Sequence, residues 1–301
     1  LSLLALIFAL VCERGATHLL HLREWRWLDS YFDAADRAIG SRRGPGVRVV
    51  AVMLVALPSA PVALVAEWLD PHLLGLPQLA FAVLVLLFSL GPRDLQEEVD
   101  DYVAALERHD RDEALRHGKE LLESSPAAQG TAAREAIEEA VFIQANNRIF
   151  GVVFWFMVLG PAGAWGYRVS DMLRRRAAFE AARQGLPRVR GDLGSALAGV
   201  HGLLAWLPAR LVALSYALAG SFEDAVGNWR VAVDGVASSL LDRAEDLLAR
   251  VGKGALQPSL AGVSPERLDV VTVRGAWRIV ARSLWIWIAA IALFVLTGAV
   301  R

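Results

Sequence analysis

Five stretches of the chain lack the charged residues that punctuate the rest. Residues 49–66, 73–91, 149–167 and 284–300 carry no charge, and residues 196–220 carry only His201 and Arg210. Each approaches the ~20 mainly apolar residues that a helix needs to cross a bilayer. Residues 1–11 are apolar but too short to span alone, and they lack the basic region and cleavage site of a secretory signal. Elsewhere apolar positions recur at helical spacing. Residues 17–39 read as an amphipathic surface helix, with Leu19, Leu22, Trp25, Trp27, Leu28 and Phe32 as its apolar bulk. Leu95, Val99, Tyr102, Val103 and Leu106 mark a second, residues 112–123 a third, and a fourth starts near Thr131 and runs into the span that begins at Ile149. Residues 221–251 alternate in the same way, residues 252–263 form a connector, and Ser264-Pro265-Glu266 opens the last helix. The one β-like run, residues 270–273, is isolated.

The pattern predicts an all-α fold: a polytopic α-helical integral membrane protein with about four to six membrane helices, some broken or re-entrant, plus soluble helical segments. A single membrane domain covers residues 1–301, with a cytoplasmic helical insertion at 92–148 and a second soluble helical segment at 221–278. Composition agrees with this reading. Of the residues, 55% are apolar and 21% charged, with a mean hydropathy of +0.40. That is too apolar for an ordinary soluble domain. Ten Trp against four Tyr suit indoles at a membrane–water interface. A net charge of −1 argues against a nucleic-acid partner, and a lone cysteine, Cys12, excludes an internal disulfide.

Proline and glycine disturb three of the spans. Pro58 and Pro61 interrupt the first, Gly160, Pro161, Gly163 and Gly166 cluster in the 149–167 window, and Pro208 stands beside Arg210. Such breaks free backbone carbonyls, which either line a site or merely permit kinks and close packing. Basic residues crowd at Arg37, Arg42, Arg43 and Arg48, and again at Arg174, Arg175, Arg176, Arg183, Arg188 and Arg190. The positive-inside rule favours the cytoplasm for both clusters. Single crossings of every window put them on opposite sides, so the Arg168 and Arg210 windows are expected to form a re-entrant or interfacial pair.

No phosphate-binding loop is present: Val251-Gly252-Lys253-Gly254 has neither the spacing nor the Ser or Thr. His18, His21 and Glu24 would share a helix face, which suits a metal or a solvated interfacial face. His201 suits a packed or pore-lining role, or proton handling. Glu138, Glu139, Asn146, Asn147 and Arg148 precede one span, and Arg93 and Asp94 follow another. If residues 92–148 form one loop, both groups lie at one membrane surface and can converge with Arg168 and Arg210 on a polar pocket. Its arginines suit a small anionic molecule bearing phosphate or carboxylate. The competing reading is snorkelling and structural ion pairing.

The runs FSLGPRDLQEEVDDYVAALERHD, ANNRIFGVVFWFMVLGPAGAWGYRVS and WLPARLVALSYALAGSFEDAVGNW, with ALVCER near the start, resemble the AmpE family. That resemblance implies a multi-pass protein of the bacterial inner membrane, linked functionally to the amidase AmpD and to signalling in β-lactamase induction. Glu139, Phe154-Trp155, Gly163-Ala164, Tyr167-Arg168 and Leu207-Pro208-Ala209-Arg210 are also distantly similar to the CobD/CbiB cobinamide-phosphate synthases. This second likeness adds Trp155 to the pocket. It implies an alternative function, ATP-dependent amide-bond formation on an unknown acceptor, with ATP and Mg²⁺ as the implied cofactors. Where those enzymes carry Glu-Asn before a turn, this chain reads Ile143-Gln144, with Asn146-Asn147-Arg148 at the turn. The change removes a possible base or metal ligand, and no catalytic residue is assigned.

Overall fold

Apolar periodicity becomes helix throughout the described residues. The computed structural model describes residues 26–39, 44–69, 76–90, 95–122, 131–183, 192–235, 239–260 and 262–297, with Ala5 and Ala9. Every regular element among the described residues is helical. In chain order these are α1 (Arg26–Ile39), α2 (Pro45–Leu69), α3 (Leu76–Ser89), α4 (Leu95–Glu107), α5 (Arg111–Leu122) and α6 (Thr131–Ala145). A π-helical turn (Asn146–Phe150) leads into α7 (Gly151–Arg183), followed by α8 (Asp192–Ala219), α9 (Phe222–Asp234) and α10 (Leu240–Leu256). A 3₁₀ turn (Gln257–Leu260) precedes α11 (Pro265–Leu296). Residues 252–256, read as connector, extend α10, and residues 270–273 lie within α11.

Four helical stretches are long and apolar enough to cross a membrane: Gly46–Leu69, Arg134–Arg183, Leu193–Ala219 and Arg267–Leu296. The protein is a multi-pass helical membrane protein. On α2 the side chains of Val52, Met53, Leu57, Leu64 and Trp68 are exposed, a face suited to lipid. Helix α3 is equally apolar but shorter.

The prolines do not interrupt their helices as expected. Helix α2 runs unbroken through Pro58 and Pro61, and α8 through Pro208. Proline lacks the N–H that would serve the carbonyl four residues back. At Pro58 that carbonyl is Leu54, and the Tyr31 hydroxyl donates to it at 3.3 Å. Only Gly160 breaks the helical path of α7, at φ 67°, a conformation that glycine adopts without strain.

The described chain divides into two compact units. One contains Leu1–Pro92, Asn147–Ala205 and Thr297–Arg301; the other contains Arg93–Asn146 and Trp206–Leu296. The core of the first is built by Leu28 and Phe32 of α1, Ala51 and Leu54 of α2, Val169 and Leu173 of α7, and Leu193 and Leu197 of α8. In the second, the Tyr216 hydroxyl donates to the Phe142 carbonyl at 2.9 Å while the two rings pack 5.1 Å apart. Arg134 pairs with Asp269 at 3.2 Å, and both Arg274 nitrogens reach Glu107, at 2.7 and 3.1 Å.

Tyr102 of α4 is buried in this second unit. Burial, reinforced by the charge of Asp269, pushes its phenol up to about 12. The folded state therefore favours the neutral phenol, and this contribution is complete below pH 10 and lost as the pH rises toward 12. The thermal midpoint of the purified protein should fall across that interval, and Tyr102→Phe should fall less. Identical curves for both proteins would contradict this assignment.

Candidate functional site

The π-helical turn places Asn146, Asn147 and Arg148 in buried surroundings. The similarity to the cobinamide-phosphate synthases suggested a turn here. The chain instead stays helical, with one extra residue per turn, a feature common at functional sites. The next residue, Gly151, is held against the Tyr167 ring so closely that a Cβ there would run into it. The Tyr167 hydroxyl in turn donates to Asn147 Oδ1 at 3.5 Å.

One turn further along α7 lies a buried ionic cluster. The Asp171 carboxylate is wholly shielded from solvent. Its Oδ2 faces Arg175 at 2.7 Å and Arg168 at 3.2 Å, and its Oδ1 faces Arg174 at 2.8 Å. Positions 168, 174 and 175 each stand three or four residues from Asp171, so helical geometry alone gathers them. From α8, the fully buried His201 completes the group, with Nε2 3.7 Å from Asp171 Oδ1 and its ring 5.0 Å from that of Tyr167. Farther along α7, Arg176 reaches Asp33 of α1 at 3.4 Å and Glu180 at 2.9 Å.

Ser170, His201 and Asp171 are residue types of a nucleophilic triad, but their hydrogen bonds assign them another role. Ser170 Oγ donates to the Tyr167 carbonyl at 2.7 Å, so it accepts from His201 Nδ1–H at 2.9 Å. The hydroxyl proton is already committed, and the serine is fully buried. Asp171 serves three guanidinium groups instead of orienting an imidazole. The geometry describes a locked polar core and not an activated nucleophile.

The expected site residues divide between the units. Asn147, Arg148, Trp155 and Arg168 belong to the first, and Glu139 and Arg210 to the second. Arg93 and Asp94 lie outside the described residues, as do Cys12, His18, His21 and Glu24. Glu139 accepts from Lys253 Nζ at 3.1 Å, an ammonium that Glu135 also approaches at 3.6 Å. Burial alone would lower the Lys253 ammonium pKa; the Glu139 hydrogen bond and the surrounding carboxylates raise it on balance. Arg210 folds over the Trp206 ring, 4.0 Å from its centre. Asp171, Arg174 and Arg175 escaped the sequence reading because the arginines were taken as topology signals, although their helical spacing around an aspartate was visible.

Trp155 has a structural task. Its indole N–H donates to the Leu204 carbonyl at 3.0 Å. Leu204 is four residues before Pro208, so this is the carbonyl that Pro208 leaves without a helical donor. Trp155→Phe should therefore lower stability by about 1–3 kcal/mol, the cost of a buried polar group left unmatched. Combining it with Pro208→Ala, which restores the N–H, should recover most of that loss in thermal unfolding. Additive losses in the double variant would refute the pairing.

Comparison with known proteins now bears on this architecture. The family described as "Regulatory signalling modulator protein AmpE" matches residues 1–300. A "Cobalamin biosynthesis protein CobD" of Stutzerimonas stutzeri (strain A1501) is 34% identical over 205 residues, which cover 66% of this chain and 63% of that protein. A protein of the same description from Chromobacterium violaceum is 28% identical over 274 residues, 85% of this chain and 83% of the relative. The chain thus spans less than two thirds of the first relative. No solved structure matches it. With a match running over essentially its whole length, the chain belongs to the AmpE family of regulatory membrane proteins.

Proposed function

We propose that this chain is a signalling protein of the bacterial inner membrane, linked to cell-wall recycling and β-lactamase induction, that reads a small anionic ligand. The observation that carries this reading is the cluster of Arg168, Arg174 and Arg175 round the buried Asp171. Planar guanidinium forks in a low-dielectric setting bind phosphate and carboxylate groups well. The cluster is preorganised, since Asp171 fixes the arginines before any ligand arrives. Asn147 and Arg148, on the adjoining π-turn, supply further polar groups to the same unit. The segments 92–148 and 221–278 are then helical parts on the cytoplasmic face, available to partners such as AmpD.

The CobD relatives favour a second reading, an ATP-dependent amide-forming enzyme. Its phosphates would suit the arginines. A Mg²⁺ ion does not suit Asp171, because both carboxylate oxygens face guanidinium groups where a hard cation needs open oxygen ligands. The regulatory reading is therefore preferred.

The test uses a strain in which the chain is deleted and restored from a plasmid, with β-lactamase induction as readout. Arg174→Gln should behave like the deletion while the protein accumulates normally in the membrane. Wild-type induction in that variant would overturn the proposal. Thermal unfolding with Mg²⁺-ATP separates the two readings: a ligand at ~100 times its Kd adds about 2.7 kcal/mol. A shift of that size, abolished by Arg174→Gln, would favour the enzyme.

A further inference from the structure

Helix α8 is long and apolar enough to span a membrane up to its last residue, Ala219. Near that end Leu211, Leu214 and Leu218 are exposed, a face that lipid would cover. Only Gly220 and Ser221 separate it from α9. Three residue steps reach at most ~11 Å, so the connection alone starts α9 beside the end of a span. The corner is fixed from α10. A Cβ on Gly220 would run into the Ala255 carbonyl, and the Ser221 N–H donates to that carbonyl at 3.0 Å.

Helix α9 divides into three arcs. One packs on α10: Ala225 is buried, and a Cβ on Gly254 would run into the Asp224 carbonyl and the Asn228 side chain. A second arc carries Glu223, Gly227, Arg230 and Asp234, all exposed. The third is apolar. Phe222, Val226, Trp229 and Val233 fall within about 60° of one another round the axis, in a stripe ~16 Å long. Phe222 and Val233 are more than half exposed, and Val226 and Trp229 are partly so. The charged arc keeps α9 out of the hydrocarbon core, where such side chains are costly. The apolar stripe is poorly served by water. An axis lying along the membrane surface satisfies both arcs, and it puts Trp229 at the depth where indole rings gather.

We infer that α9 lies in the membrane–water interface beside the end of α8, with Phe222, Val226, Trp229 and Val233 seated in the lipid. The lipid-facing surface of α8 thus continues onto the apolar stripe of α9. Helix α10 is held at the membrane surface by its packing on α9. This inference rests on the span of α8 and stands without the signalling proposal, and its test contains no induction readout.

The test replaces the single native cysteine by Cys12→Ser and adds one spin-labelled cysteine at a time to the full chain. Phe222→Cys, Val226→Cys and Val233→Cys sample the stripe; Gly227→Cys and Asp234→Cys sample the charged arc. Phe222 and Val233 are exposed and a Cβ on Gly227 meets open space, so these variants fold even if Val226→Cys does not. Each protein is placed in phosphatidylcholine nanodiscs, and collisions of the label with oxygen and with a nickel chelate are read by electron paramagnetic resonance. Oxygen gathers in lipid and the chelate stays in water. The ratio of oxygen to nickel collisions should be several-fold higher at the stripe positions than at positions 227 and 234. Equal ratios at Phe222, Val233 and Gly227 would put the stripe in water and overturn the inference. Few collisions with either reagent at Phe222 and Val233 would also overturn it, since that marks cover by protein, such as a second copy of this chain.

Discussion

A backbone carbonyl inside a bilayer has no water to turn to, and every proline in a spanning helix creates one such carbonyl. Two of these are answered by aromatic side chains from neighbouring helices. Tyr31 of α1 serves Leu54, freed by Pro58, and Trp155 of α7 serves Leu204, freed by Pro208. Each bond satisfies a backbone group and also ties two helices together. The prolines thus become attachment points, and their helices run on through them. At Gly160, just before Pro161, the helix does break. Both bonds lie in the first unit, where they add to the packing of its hydrophobic core.

The second constraint is charge. Asp171 has no solvent exposure, so its carboxylate must be neutralised within the fold. Three arginines from its own helix do so, and His201 of α8 closes the side they leave. Breaking one partner of such a pair is costly, which makes the cluster a rigid element.

The spans were legible in the sequence because hydropathy over ~20 residues is a strong signal. The continuation of α6 through the π-turn into α7 was legible for a similar reason, since apolar periodicity never stops there. Prolines misled, because their local effect is plain in sequence while the rescuing donors, Tyr31 and Trp155, are 27 and 53 residues away. Arg168, expected to line a polar pocket, is buried and faces Asp171. Its partners were read by a rule that counts arginines near membrane ends and ignores which carboxylate they face. The i, i+3, i+6, i+7 spacing of Arg168, Asp171, Arg174 and Arg175 was the better signal.

These assignments sort the polar residues by what is left for them to do. Trp155 spends its only donor on a backbone carbonyl, so it has none to offer a ligand. Glu139 is bonded to Lys253, which ties α6 to α10. Ser170 and His201 exchange their hydrogen bonds within the fold. With Nδ1 donating to Ser170, Nε2 is the acceptor nitrogen of His201, and it stands 3.7 Å from Asp171 Oδ1. Guanidinium groups differ, because each carries five donors and no acceptor. Those of Arg168, Arg174 and Arg175 converge on one carboxylate, that of Asp171. The cluster is therefore a fixed charge centre of the first unit, gathered mainly by the three- and four-residue spacing of its arginines from Asp171.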